Sequence, residues 1–309
     1  MSDAGRICVL VPVYHPYRWV APHMLRLLDE YWPDHPNVFF AGLAAGEVDD
    51  MPMLPLANVE SPRQWATFCL EAVMELLARG YELCYFIGED HVPLGTCHAR
   101  HLRFTLPDLM ESLPASYIGM MGWDNRRFLP RGEVVADSIP GLRRLLGRHA
   151  PRFHLHPCLF RLSVLRDCLE CVSRQTERTP WAFEKTCDKF DADLPDGDKE
   201  SCYQIFGEAL AVRRDTGLER QGRRAEQFVY HRAMGLAPWM RRMGLGMRYW
   251  DAWGFDNFFY NGPYPMFYSG VMSRGRLNPF FMRFVEKMKR PAGAVRDLIF
   301  EARAWERQL

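Results

Sequence analysis

The chain has 309 residues, of which 48% are hydrophobic and 25% charged, and its formal net charge is +1. This is ordinary globular composition, and the length suits one large domain or two closely packed ones. No run of about 18 uncharged apolar residues occurs, so the sequence gives no transmembrane helix.

The N-terminus and the cysteines indicate the cellular compartment in which the protein is expected. Residues 1–6 lack the pattern of a signal peptide, and the nine cysteines are scattered and odd in number, which excludes a complete disulfide framework. Cys168 and Cys171 form a C-x-x-C pair inside a predicted helix, without a second pair at zinc-site spacing, so we interpret them as buried apolar residues. We expect a cytoplasmic protein.

Strand and helix patterns alternate along the first 125 residues. The predicted elements are a strand from 6 to 14, a helix from 20 to 31, a strand from 38 to 43, a helix that starts at Ser61-Pro62-Arg63-Gln64 and ends at Gly80, a strand from 83 to 87, a helix at about 97–112 and a strand from 117 to 123. This order predicts an α/β fold with parallel strands and right-handed crossovers.

An acidic turn follows the strand that ends at Ile87. Glu89, Asp90 and His91 can each bind a cation. Removing ionised carboxylates from water at the end of a buried strand costs free energy unless a positive group lies against them. In open α/β sheets this edge also binds ligands. A divalent metal site for a phosphorylated ligand and an acidic turn that caps the next helix both fit these residues.

The middle of the chain offers further polar candidates. Residues 124–151 have little periodicity and suggest a lid region. His154 and His156 alternate, which predicts that both point to one face of a strand, as a structural pair or a metal pair. Thr179-Pro180 predicts a capped helix start that carries Glu184, and residues 202–212 predict a strand.

The C-terminal part is basic and aromatic. From Arg213 onward there are 18 Lys and Arg against nine acids. Aromatic residues lie between the arginines of the tail that begins at Leu236. They suit a membrane-interface patch, an acceptor cleft, a subunit contact, or buried packing against the domain, which we favour.

Several segments together resemble the GT-A-type nucleotide-sugar-dependent glycosyltransferases of bacterial polysaccharide biosynthesis. The segments that carry the likeness are YWPDHP at 31–36, SPRQW at 61–65, FIGEDHVPL at 86–94, TPWAFE at 179–184 and VYH at 229–231. The likeness spans about residues 6–235. It implies a GT-A-like, Rossmann-like, mostly parallel sheet flanked by helices, with an extra aromatic, basic C-terminal segment.

The resemblance also implies a division of the chain and an activity. Residues 1–125 would form the nucleotide-sugar-binding half, 126–235 the acceptor and catalytic half, and 236–309 an extension outside the likeness. The activity would be transfer of a sugar from a nucleotide-diphosphate sugar to a hydroxyl of a glycan or lipid-linked glycan, metal-assisted and inverting. Outside the likeness, the aromatic and basic residues of the tail suggest a peripheral contact with the inner face of the membrane.

The implied metal site uses Mn²⁺ or Mg²⁺ to neutralise the leaving diphosphate. Asp90 would be the ligand, with Glu89 in support and His231 as a third contact. The family signature is D-x-D, whereas here the acids are adjacent and His91 follows, which leaves open which group touches the metal.

The remaining implied roles concern the nucleotide and the acceptor. Tyr14 and His15 would cover the base, an acid such as Asp49 (or its neighbours Glu47 and Asp50) would accept from the base ring, and Arg63 would meet a phosphate. Glu184 would be the general base for the acceptor hydroxyl. Its alternative role is to stabilise its own helix N-terminus.

Three other functions compete with this one. A nucleotidyltransferase should carry a glycine-rich phosphate loop after the first strand, where this chain has His15-Pro16-Tyr17. A non-catalytic nucleotide-binding protein of the same fold would bind without turnover. A phage-type DNA-base glycosyltransferase would use the basic tail on nucleic acid, and steep salt dependence of DNA binding would reveal it.

Overall fold

The fold is described from a computed structural model of the chain. The described residues are 6–42, 51–54, 56, 64–113, 115–122, 133–134, 142–144, 153, 155–184, 186, 202–206, 208–213, 217–220, 258–267, 270–273, 276–278, 281–282, 285 and 293–306.

Strands and helices alternate from β1 to β4, and three further strands then precede α4. In chain order they are β1 (Ile7–Pro12), α1 (Val20–Tyr31), β2 (Asn37–Ala41), α2 (Trp65–Ala78), β3 (Leu83–Phe86), α3 (Leu106–Ser112, preceded by a π-helical turn at His101–Thr105), β4 (Tyr117–Gly122), β5 (Glu133–Val134), β6 (Leu142–Arg144), β7 (Cys158–Arg161) and α4 (Leu162–Ser173). The predicted β-α-β-α-β order is confirmed.

The second half is richer in strands. It contains β8 (Cys202–Phe206), β9 (Glu208–Arg213), β10 (Gly217–Arg220), β11 (Phe258–Asn261), β12 (Met266–Phe267), β13 (Met272–Ser273), β14 (Arg276–Leu277) and α5 (Gly293–Glu306). None of the described helices is long and apolar enough to cross a membrane.

The main sheet, over the described residues, has eight strands in the order β2-β1-β3-β7-β4-β8-β6-β5. β1 pairs in parallel with β2 and β3, and β4 with β8, while β7 and β6 run against the other strands. The α/β fold with a mostly parallel sheet flanked by helices is therefore confirmed. The division at residues 125 and 235 stays a prediction.

The two faces of the sheet are covered by different helices, as the alternation of side chains along β1 requires. Ile7, Val9 and Val11 join the core that includes α1, α3, α5 and the C-terminal strands. Cys8 and Leu10 point to the opposite core, formed with α2 and α4. The connection through α1 runs from β1 to β2, and the connection through α2 runs from β2 past β1 to β3 on the other face, so the strand order reverses at β1. In sheets of this kind the ligand crevice lies outside the carboxyl ends of the strands at that point, here β1 and β3.

The C-terminal strands form part of the body of the protein. A second sheet, again within the described residues, has the order β10-β9-β11-β12. Tyr260, Tyr264 and Phe267 are completely buried, which confirms the preferred packing interpretation for these three aromatics. The other tail aromatics up to Phe255, and Tyr268, lie outside the described residues.

Two predicted strands differ from the structure. The run at 153–160 is a strand only from Cys158, because Pro157 lacks the N–H that a ladder needs and the residues before it bend. The run at 202–212 is two strands, with β8 in the main sheet and β9 in the second sheet. Gly207 separates the two in the sequence, and glycine weakens a strand interior.

Candidate functional site

The acidic turn begins directly after β3, at the carboxyl edge of the main sheet. The main chain continues beside β1 through Ile87, whose N–H donates to Leu10 C=O at 3.1 Å. It then turns, and the N–H of His91 donates to Gly88 C=O at 3.0 Å. The turn places Glu89 and Asp90 at the crevice between β1 and β3.

Glu89 is the carboxylate on the sheet side of this crevice. Its Oε1 accepts a hydrogen bond of 3.2 Å from the backbone N–H of Tyr14, the second residue after β1. Burial, and next the charge of Asp90, raise the pKa of Glu89 to about 8, although the N–H groups of Glu89 and Tyr14 and the His91 ring act in the opposite direction. The group therefore lies where positive charge would be favourable.

Asp90 is held on two sides. Its Oδ1 lies 2.8 Å from Nδ1 of His91. A Cβ atom placed on Gly270 would lie 2.3 Å from its Oδ2, so the C-terminal chain passes directly against the carboxylate. The backbone C=O of Asp90 accepts from the N–H of Val271 at 2.8 Å.

The C-terminal segment, residues 263–278, makes further contacts with the residues after the turn. The hydroxyl of Tyr264 donates to His91 C=O at 2.9 Å. Backbone N–H groups of Leu94 and His98 donate, each at 2.9 Å, to carbonyl groups of this segment, those of Pro265 and Pro263 respectively. One wall of the site is thus built from the end of the chain.

The opposite wall comes from the residues before β7. The ring of His156 packs edge-to-face against that of His91, with centroids 5.2 Å apart. The N–H of the preceding residue, Leu155, donates to Oε1 of Glu184 at 3.1 Å. His156 therefore lies in a bend rather than on a strand face, and it still reaches the acidic turn.

Glu184 lies on a helical turn whose predicted cap is confirmed. The hydroxyl oxygen of Thr179 accepts from the N–H of Ala182 at 3.2 Å. The hydrogen bond from Leu155 N–H places the Glu184 carboxylate near the start of β7. Burial, then Cys84 and then the charge of Glu184 raise the pKa of the Cys158 thiol. Because β7 pairs with β3, this carboxylate and the acidic turn belong to the same end of the sheet.

Tyr14 and His15 follow β1 on the other side of the crevice. The Tyr14 side chain is 37% exposed, and its ring stands edge-to-face to that of Tyr17, with centroids 5.2 Å apart. His15 begins a short 3-10 turn and is half-buried. An aromatic face therefore borders the crevice next to Glu89.

Some predicted site residues lie outside the described residues. They are Asp49 with its neighbours Glu47 and Asp50, Arg63, His154 and His231. Their assigned roles stay predictions. The structure brings Tyr14 to Glu89 and Asp90, and the bend before β7 places Glu184 at the same end of the sheet.

The carboxylates of the acidic turn suit a cation that takes its other ligands from a substrate and from water. In the part of the chain that the structure describes, no three acidic, histidine or cysteine side chains converge to hold a metal ion. Mg²⁺ is usually bound by one or two carboxylates, with substrate phosphates and water as its other ligands. Adjacent Glu89 and Asp90, the first with a raised pKa, fit that arrangement better than a cage built from protein alone.

Three residues of the C-terminal segment were not singled out as site residues by the sequence: Gly270 and Tyr264, which contact the acidic turn, and Asn278, whose side-chain amide donates to Gly270 C=O. Each is a single residue in a segment without helix or strand periodicity, far along the chain from Asp90. The nearest signal was the aromatic composition of the tail, which predicts burial without naming a partner.

The fold is similar to that of several solved structures, among them two transferases. No family model and no curated protein matches the sequence. The chain is similar to mannose-1-phosphate geranyltransferase from Thermus thermophilus, with TM-score 0.35 and 12% identity over 65% of this chain and 74% of that one. It is also similar to a glycosyltransferase involved in glycosylation of the major capsid of PBCV-1, with TM-score 0.35 and 11% identity over 64% of this chain and 92% of that one. Both neighbours are transferases, but likeness at this level carries no inference about the activity of this chain.

Proposed function

We propose that this protein is a glycosyltransferase that moves a sugar from a nucleotide-diphosphate sugar to an acceptor hydroxyl. The observation that carries the proposal is the meeting of Tyr14 and Glu89 across the β1–β3 crevice, with Asp90 beside them. This is the switch point of a doubly wound sheet, where such folds bind nucleotides. Paired carboxylates there suit a cation that carries a diphosphate.

The donor would lie along the carboxyl edge of β1 and β3. The exposed ring of Tyr14 and the adjacent His15 offer a surface for the base. In this proposal Asp49 accepts from the base and Arg63 meets a phosphate. Asp90, supported by Glu89 and by His231, would hold Mn²⁺ or Mg²⁺, which supplies positive charge to the leaving diphosphate.

Glu184 is proposed as the general base. The hydrogen bond from Leu155 N–H fixes the direction of its carboxylate. It would take the proton of the acceptor hydroxyl as that oxygen forms its bond to the anomeric carbon. The bond between that carbon and the diphosphate oxygen breaks, its electron pair leaves with the nucleotide, and the anomeric configuration inverts.

The acceptor in this proposal is a carbohydrate or a lipid-linked glycan. A lipid-linked acceptor would bring the protein, expected to be cytoplasmic, to the inner face of the membrane. The basic tail would then make the peripheral contact, since anionic headgroups attract Lys and Arg near the surface.

The experiment is release of nucleotide from a panel of nucleotide sugars with Mn²⁺ or Mg²⁺, first without acceptor. We expect one donor to be hydrolysed, and Asp90→Ala to lower the rate about 100-fold or more because the charge on the diphosphate is no longer neutralised. Glu184→Gln should lower transfer to an added acceptor. Asp108→Ala, an exposed carboxylate at the start of α3, is the matched control and should leave the rate unchanged.

Two results would overturn the proposal. If no nucleotide sugar is bound or hydrolysed, the acidic turn is structural and the transferase assignment fails. If a nucleotide binds and Asp90→Ala weakens that binding, but no sugar is released or transferred with any acceptor, the protein is a non-catalytic nucleotide-binding protein.

A further inference from the structure

Gly270 occupies a position where no side chain fits. Its φ angle is +72°, in the left-handed region that glycine adopts without steric cost. A Cβ atom there would lie 2.3 Å from Oδ2 and 2.7 Å from Cγ of Asp90, which are distances that real Cβ contacts do not show. Any other residue at 270 would therefore displace the Asp90 carboxylate or the chain that faces it.

The chain around Gly270 is held in place from behind. Asn278 is 2% exposed, and its side-chain amide donates to Gly270 C=O at 3.2 Å. Its backbone N–H donates to Val271 C=O at 2.8 Å, and the N–H of Gly270 itself donates to Phe267 C=O at 3.1 Å. Because these hydrogen bonds hold the turn around Gly270, a side chain at 270 would move the Asp90 carboxylate rather than that turn.

Asp90 is fixed in return by this turn. The N–H of Val271 binds its backbone carbonyl, while its two carboxylate oxygens face His91 on one side and Gly270 on the other. A rotamer enclosed in this way has little freedom. Groups that lock a ligand side chain before the ligand arrives raise its affinity.

We propose that Gly270 is a positioning residue of the candidate site: the C-terminal segment sets the direction of the Asp90 carboxylate, and only glycine at 270 permits that direction. The role of this direction in catalysis rests on the proposed function, in which Asp90 binds the cation of the donor. The contact itself does not depend on that function.

Gly80 provides the matched control. Its φ angle is +87°, close to that of Gly270, but a Cβ atom there would meet nothing within 4 Å. Gly80→Ala therefore imposes the same kind of backbone strain without a collision. Any effect that Gly270→Ala has beyond Gly80→Ala belongs to the contact with Asp90.

The first measurement is calorimetric titration of the full chain with UDP, GDP, ADP and CDP in the presence of Mn²⁺. We expect Gly270→Ala to weaken the affinity for the bound nucleotide by about tenfold or more, as removal of groups that orient a metal ligand commonly does. Gly80→Ala should leave the affinity unchanged. Equal affinity of the Gly270→Ala variant and the natural sequence would overturn the inference.

The second measurement needs no ligand and separates the inference from the proposed function. Urea unfolding is followed for Gly270→Ala, Asp90→Ala and the double variant. We expect Gly270→Ala to lower the unfolding midpoint clearly less in the Asp90→Ala background, because the carboxylate that it strikes is gone. If Gly270→Ala is insoluble alone, recovery of folding in the double variant is the same result.

The two measurements together test the proposed function and the positioning role of Gly270 separately. If the natural sequence binds none of the nucleotides, the proposed function fails, and coupling between Gly270 and Asp90 in the unfolding cycle still decides the positioning role. If the loss caused by Gly270→Ala is equal in both backgrounds, Gly270 serves only its own turn and the inference is wrong.

Discussion

The acidic turn has two supports that come from very different distances along the chain. On the sheet side, Tyr14 N–H binds Glu89 across a separation of 75 residues, between strands of one continuous β-α-β-α-β unit. On the other side, the Tyr264 hydroxyl binds the carbonyl of His91 across 173 residues. The same short turn is thus held by the first element of the fold and by nearly the last.

The two supports act on different carboxylates. The sheet side gives Glu89 one backbone N–H and leaves it half-buried with a raised pKa, so its ionised form is unfavourable without a cation. The C-terminal side packs against Asp90 and fixes its direction. The sheet therefore places the turn in the crevice, and the tail orients the group that we expect to bind the cation.

The largest expected effect tests whether the C-terminal strands contribute to the stability of the protein as much as the main sheet does. Phe86 in β3 and Phe267 in β12 are each 1% exposed. Replacing either with Ala should lower the free energy of unfolding by about 3–5 kcal/mol, since both leave a cavity in a packed core. Urea unfolding followed by tryptophan fluorescence and by circular dichroism measures both losses and should show one shared transition.

Phe300→Ala is the control for this pair, because its ring on α5 is 74% exposed and the change should stay within about 0.5 kcal/mol. An early separate transition, or a Phe267→Ala loss no larger than that of the control, would mean that the tail is an independent unit. The C-terminal strands and the main sheet would then not support the turn as one folded body.

A second prediction concerns the electrostatic difference between the supports. The pKa of Glu89 is raised in the fold to about 8, so its favourable contribution is complete below its unfolded pKa near 4.5 and is lost as the pH rises through about 8. Glu89→Gln cannot ionise and should stabilise the metal-free protein at pH 8 by on the order of 2 kcal/mol, but much less at pH 5.

Urea unfolding at both pH values in EDTA measures this difference. Glu30→Gln, on the exposed face of α1, is the control and should show no such pH dependence. Equal stabilisation by Glu89→Gln at both pH values would show that the carboxylate is not held in an unfavourable environment.

The sheet side could be predicted because its signals are local. Apolar runs gave the strands, Gly80 at the end of α2 has the positive φ expected of a helix-terminating glycine, and Thr179 caps its turn as predicted. The acidic residues after β3 then had to lie at the carboxyl edge of a parallel sheet, where the structure has them.

The tail side could not be predicted in the same way. The contact between Gly270 and Asp90 depends on how β11 and β12 dock beside residues 93–98, and no periodic pattern links positions so far apart. The alternation of His154 and His156 predicted a strand face, which is wrong for His156, because β7 begins only after Pro157; His154 lies outside the described residues. His156 nevertheless reaches His91 from the bend that results.

A third prediction uses one buried hydroxyl on each side. Tyr85 in β3 donates to Leu102 C=O, and Tyr264 donates to His91 C=O. Tyr85→Phe and Tyr264→Phe should each cost about 1 kcal/mol of unfolding free energy, because a buried carbonyl loses its donor. Only Tyr264→Phe should also weaken nucleotide binding with Mn²⁺, since its acceptor belongs to the acidic turn. Equal effects of both variants on binding would show that the tail does not act on the turn through this bond.

The smallest expected effect concerns how the last helix docks. Arg26 on α1 and Asp297 on α5 form an ion pair at 3.4 Å, but their side chains are 55% and 60% exposed, whereas Val295 and Leu298 on α5 are fully buried. Water and salt screen such a pair, so a double-mutant cycle with Arg26→Ala and Asp297→Ala should give an interaction of about 0.3 kcal/mol that disappears at high salt. Apolar packing, together with the contact between the buried His23 ring of α1 and Glu301 of α5, would then fix α5. An interaction above about 1 kcal/mol would instead make the C-terminal support sensitive to ionic strength.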